Sequence, residues 1–111
     1  MTNVEYETKN LVREIRRSNE YNQYHRLRKR LSKDPELMRR VDDYRRACFE
    51  LQVKEAEEDD EEKLIQLVED HEDLLQDAAV NEFLISERRL CRMIRNITSA
   101  VTEAANLHLE L

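Results

Sequence analysis

The sequence predicts an all-α protein built as an antiparallel bundle of four to five helices, the last of them long. Three observations carry that prediction. The 111 residues contain no glycine, against an average usage of about 7 %. Tight β-hairpins, which need residues at positive φ, are therefore disfavoured. Leu, Arg, Glu, Lys, Gln and Ala dominate, and these are the strong helix formers. The single proline, Pro35, stands between two stretches of helical periodicity.

The elements follow in order. Val4, Leu11, Val12 and Ile15 repeat at helical spacing and predict a first helix ending near Arg17. Ser18-Asn19 reads as a cap or kink, since short polar side chains compete for backbone groups. A second helix carries Tyr21, Tyr24, Leu27 and Leu31 on one face. Pro35 disfavours helical geometry at Asp34, so that helix must stop. Asp34 can then cap a new helix in which Pro35, at the first position, has no N–H to leave orphaned. The joint is short and predicts an αα-hairpin.

The third helix places Leu37, Val41, Tyr44, Cys48 and Leu51 at 4-3-4-3 spacing, a narrow coiled-coil type of seam. The run KEAEEDDEEK has no periodicity and reads as an acidic linker over about 55–62, with a frayed helix end as the alternative. A fourth helix would align Leu64, Leu67, Val68, His71, Leu74, Leu75 and Ala78 on one side. The last, from about Ala79 to Leu107, carries Val80, Phe83, Leu90, Ile94, Ile97, Val101 and Ala104, widened by Leu84, Cys91, Thr98 and Ala105. A face that wide usually serves two neighbours. Val80, Phe83, Leu90, Ile94, Ile97 and Val101 are therefore the candidate interface of a homodimer or higher oligomer. One domain over 1–111 is expected.

Charge is segregated. Residues 13–46 hold twelve Lys/Arg and six Asp/Glu, a balance of +6. Residues 55–77 hold twelve acids and Lys63, a balance of −11, and the whole chain is −6. Opposite segments can lean together or remain solvated faces. Arg26, Arg28, Arg30, Arg39 and Arg45 form a candidate docking surface for an acidic protein. Basic residues beside Tyr21 and Tyr24 also allow nucleic-acid binding. The positives are spread around the helix, however, and the net charge opposes a polyanion.

No pattern of catalysis stands out. Without glycine there is no phosphate-cradling loop and no dinucleotide fingerprint. The acidic run lacks EF-hand spacing. The helical neighbours of His71 are Leu67, Val68, Leu74 and Leu75, which supply no metal ligand. His25 lies among Arg26, Arg28, Lys29 and Arg30, and His108 is near the tail. Cys48 and Cys91 sit apart in helical patterns and read as small apolar residues. The N-terminus has no apolar leader core, and no stretch is long and apolar enough to span a bilayer. A non-enzymatic cytoplasmic protein without metal or cofactor is expected. A metal- or cluster-binding sensor is the weaker alternative.

Ser18, Tyr21 and Tyr24, then Leu31, Asp34, Pro35 and Glu36, then Val80, Glu82, Phe83, Leu84 and Glu87 form an ordered set. In these features the chain resembles the YlbF/YmcA family of small helical bacterial proteins, which includes YheA-like members. The resemblance covers most of residues 4 to 107. It implies an all-helical, dimeric fold and a regulatory, adaptor-like role through protein contact. Some members act in competence, sporulation and biofilm formation, in a complex that directs an endoribonuclease in mRNA maturation. Asp77-Ala78-Ala79 stands where members often carry Asn-Pro. The cysteines with which some members hold an iron–sulfur cluster have no counterpart in AANLHLEL.

Overall fold

The structure is a computed structural model that describes residues 2–53 and 60–106. These form six α-helices and, among the described residues, no strand: α1 (Asn3–Arg17), α2 (Asn19–Leu31), α3 (Pro35–Val53), α4 (Asp60–Asp70), α5 (Glu72–Leu75) and α6 (Ala78–Ala105). Two compact units result. One combines the residues up to Arg26 with those from Leu84 onward; the other is Leu27–Phe83.

Side-chain chemistry explains the helix boundaries. Thr2 caps α1 by accepting from the Glu5 N–H at 3.1 Å. Ser18 serves two helices. Its hydroxyl donates to the Ile15 carbonyl at 2.6 Å, closing α1, and its oxygen accepts from the Tyr21 N–H at 3.2 Å, opening α2. At the proline joint the Leu37 N–H donates to Asp34 Oδ1 at 3.2 Å, and Pro35 is the first residue of α3. Asp77 caps α6 in the same way, accepting from Val80 N–H at 3.1 Å. Beyond the last turn of α6, Asn106 takes a left-handed φ of 51°. Asparagine tolerates the position that glycine usually fills.

Two boundaries differ from expectation. The single fourth helix is broken at His71. His71 Nδ1 lies 2.7 Å from the Leu67 carbonyl, the acceptor that its own backbone N–H would need in an unbroken helix. That N–H turns instead to Val68 O at 3.2 Å, and α5 starts on the far side. Residues 60–62 of the expected acidic linker belong instead to α4. The linker's residues 55–59, like Leu107 and His108 of the tail, lie outside the described residues.

The core sits in the Leu27–Phe83 unit. Leu27 and Leu31 of α2, Met38 and Val41 of α3, Leu74 of α5, and Val80 and Phe83 of α6 are its buried apolar side chains. The expected seam on α3 is therefore one of two faces. Tyr44 stands 5.2 Å from the His71 ring, and Leu51 lines a groove with Leu67, so the seam faces α4 and α5. Met38, Val41 and Arg45 form the second stripe, and Arg45 lies over the Phe83 ring. In contrast, α1 has no buried residue. Phe83→Ala should cost about 3–5 kcal/mol, the range for large aromatic truncations in cores. Val12→Ala on exposed α1 should stay within about 0.5 kcal/mol. Urea unfolding followed by helix signal separates the two outcomes.

Candidate functional site

Three features can make contacts: the basic segment, the helix faces left uncovered, and the grooves between helices.

The basic segment is engaged within the chain. Arg28 reaches from α2 to Asp42 of α3 through two hydrogen bonds, each 3.1 Å. Arg45 bonds the same carboxylate at 2.9 Å and places its guanidinium 5.2 Å from the centre of the Phe83 ring. A bidentate guanidinium on a half-buried carboxylate fixes both distance and angle. Arg28 and Asp42 lie equally far in sequence from Pro35, so this bond closes the hairpin as the joint predicts. Arg30 faces Glu82 at 3.8 Å, Arg39 pairs with Glu36 and Asp43, and Arg40 meets Asp73 at 2.8 Å. The Arg40–Asp73 pair joins the basic segment to the acidic one. Of the five arginines read as a docking surface, Arg28, Arg30, Arg39 and Arg45 each face a carboxylate, and Arg26 is exposed.

The pairs shift the acids. The Arg28 hydrogen bond, reinforced by Arg45, holds the Asp42 carboxyl below its ordinary value against the opposing effect of burial. Arg39 lowers Glu36, and Arg40 lowers Asp73. His25 contacts two rings, Tyr21 at 4.2 Å and Tyr24 at 5.1 Å between centroids. Among the described residues no group of three or more His, Cys, Asp or Glu side chains is placed to hold a metal ion. Cys48 is a half-buried free thiol and Cys91 an exposed one.

The helix faces hold the uncovered apolar surface. On α1, Val4 is 75 % exposed, with Tyr6, Leu11 and Val12 also open. On α6 the six residues read as an interface divide. Val80 and Phe83 are fully enclosed in the core of their own chain, Leu90 and Ile97 are half-buried, and Ile94 and Val101 are exposed. Two residues absent from the sequence reading, Ser86 and Met93, complete an inner seam: Phe83, Ser86, Leu90, Met93 and Ile97 repeat at 3-4-3-4 spacing and are all buried or half-buried. Its signal was present in that spacing, but a serine and a flexible methionine hid it.

Two grooves are shallow. One, about 380 Å³, is lined by Ala47, Glu50, Leu51, Lys63, Gln66, Leu67 and Asp70. The other, about 490 Å³, is lined by Glu20, Arg89, Arg92, Met93, Asn96, Ile97 and Ala100. Neither gathers a nucleophile, base and anion-stabilising group.

A family model described as "Control of competence regulator ComK, YlbF/YmcA" matches residues 4–106, from the first helix through the last. The chain belongs to the YlbF/YmcA family. No curated protein and no solved structure matches it. The family is a regulatory one by its description, and the resemblance read from Ser18 to Glu87 agrees with it. Among the described residues no helix of this family member is long and apolar enough to cross a membrane.

The Asp42 bond predicts an acid dependence. Its folded-state carboxyl is depressed, so the stabilisation is complete above the unfolded value of about 3.9 and fades as pH falls through the folded value. Urea midpoints should drop from about pH 5 downward. Asp42→Asn should flatten that profile and cost about 1–2 kcal/mol at neutral pH, after allowance for partial solvent screening.

Proposed function

We infer that this protein is a non-enzymatic regulatory adaptor of the cytoplasm, acting as one helical module that binds other protein surfaces through uncovered apolar helix faces. The observation that carries this is α1: fifteen residues of amphipathic helix without one buried side chain. Such a face costs solvation unless something covers it, and contiguous exposed apolar surface commonly marks an interaction site. Membership of a family named for control of a competence regulator sets the class of process as regulation. On this reading the protein assembles with itself through the exposed members of that α6 stripe, Ile94 and Val101. Arg26 and its neighbours add electrostatic steering toward acidic partners. It needs no metal or cofactor.

The rival is a nucleic-acid binder using residues 26–46. Phosphate would have to displace the carboxylates already facing Arg28, Arg30 and Arg39. Labelled single-stranded RNA and duplex DNA should therefore bind weakly at about 0.15 M salt, where screening acts over about 8 Å. Submicromolar binding, lost on changing Arg28 and Arg30 to Glu, would overturn the adaptor reading. Affinity capture from the source organism should recover a partner with the native chain and lose it with Val12→Asp.

A further inference from the structure

The arginines of the chain's two longest helices are set among different neighbours. On α3 they alternate with acids. Arg39 pairs with Glu36 and Asp43, Arg45 with Asp42, and Arg46 with Asp43, each three or four residues away. Such pairing stabilises a helix face that meets only water. On α6, Arg88, Arg89, Arg92 and Arg95 are all exposed, and among the described residues none of them forms an ion pair. No acid stands three or four residues from any of the four. The neighbours of Arg92 at those distances are Arg88, Arg89, Arg95 and Asn96. Like charges at this spacing repel, so the face costs the free chain stability.

The surrounding unit does not neutralise it. Residues 2–26 and 84–106 hold nine Lys/Arg and six Asp/Glu, a balance of +3 in a chain of −6. Arg88, Arg92 and Arg95 make a stripe about 10 Å long at 1.5 Å per residue. Arg92 lies about two and a half turns before Val101, so the stripe is on the opposite side of α6 from Ile94 and Val101. Beside it runs the groove of about 490 Å³, whose lining includes Arg89 and Arg92 together with Met93, Ile97 and Ala100, and Glu20 as its one acid. Unpaired arginines next to apolar side chains suit a ligand that is acidic on one face and apolar on the next. The planar guanidinium grips a carboxylate through two parallel bonds, which a lysine cannot do.

We propose that the arginine face of α6 docks an acidic amphipathic helix of a partner protein. Carboxylates spaced over two turns of that helix meet Arg88, Arg92 and Arg95, and an adjoining apolar side chain enters the groove at Met93, Ile97 and Ala100. The proposal rests on the reading that the protein acts by contact with other proteins, and it names the chemistry of one partner. A nucleic acid fits less well. No aromatic side chain lines the groove to stack a base, and the chain as a whole repels a polyanion.

Selection from a displayed library of helical peptides, their outward positions varied among Glu, Lys, Gln and Leu, tests this on the purified full chain. The native chain should enrich peptides with glutamates along one face and leucine beside them. A chain with Arg88, Arg92 and Arg95 all changed to Glu should enrich lysine in place of glutamate. The peptide that wins on the native chain, fluorescently labelled, should lose affinity as salt rises. It should lose at least about tenfold on Arg92→Glu, which sets a carboxylate against a carboxylate. That same variant should keep its helix signal and unfold at an equal or higher temperature, because Glu at 92 gains Arg88, Arg89 and Arg95 as helical partners. Winners without an excess of acid, or winners unmoved by Arg92→Glu, would overturn the proposal. Submicromolar binding of single-stranded RNA, lost on Arg92→Glu, would replace the acidic helix with a nucleic acid. Sedimentation in which Arg92→Glu alone brings the protein down to 13.4 kDa would replace it with a second copy. Each of these failures leaves the adaptor reading standing, since partner capture with Val12→Asp decides that reading separately.

Discussion

A chain without glycine has to end its helices with side chains, and the rest of this fold depends on how it does so. Ser18 closes one helix and opens the next with a single hydroxyl. Asp34 and Pro35 divide the same task, the proline forbidding the old helix and the aspartate capping the new one. His71 breaks a helix by bringing its ring nitrogen to the carbonyl that the ladder needed. Asp77 starts α6, and Asn106 follows it in the left-handed region. Each stop has defined hydrogen bonds, so each helix length is set. The lengths decide which apolar positions meet: Leu27 and Leu31 before the proline joint, Met38 and Val41 after it, and Leu74, Val80 and Phe83 beyond the break at His71.

Those positions are few. With charged residues at 40 % of the sequence, the chain has limited apolar material. The core collects it in the Leu27–Phe83 unit and leaves α1 without a buried side chain. Small domains of this kind bury a modest share of their surface and commonly complete themselves against another surface. Burying an exposed Val or Leu is worth roughly 1.5–3 kcal/mol. A handful of such residues on α1 and α6 is enough to hold a partner, even after the entropic cost of association.

The all-α class, the first three helices and the proline joint were legible from residue chemistry alone, because Ser18, Asp34 and Pro35 have strong local preferences. The family was legible from the order of those residues with Val80, Phe83 and Glu87. What escaped was tertiary. His71 lay on an unbroken apolar stripe, and only its ring contact with a carbonyl ends the helix there. Arg45 looked like a surface cation because its partners, Asp42 and Phe83, come from one turn earlier on its own helix and from another helix. Ser86 is polar by composition yet almost fully enclosed. Val80 and Phe83 share a helical stripe with Ile94 and Val101. Periodicity cannot tell which part of a long stripe its own chain will cover.

Electrostatics and shape then divide the work. In the Leu27–Phe83 unit the arginines meet carboxylates of the same unit, so charge sets the hairpin angle and the approach of α3 to α5. Fields satisfied locally have little reach at physiological salt. The exposed α6 positions Cys91, Ile94, Thr98, Val101 and Ala105 carry no charge. A substitution at an inner position such as Ile97 acts on the fold. Its neighbour Thr98, one residue and about 100° away, is exposed. Placing the two faces on one helix couples them. Anything that rotates or bends α6 moves both, and anything that bound only the folded chain would add to its stability by mass action.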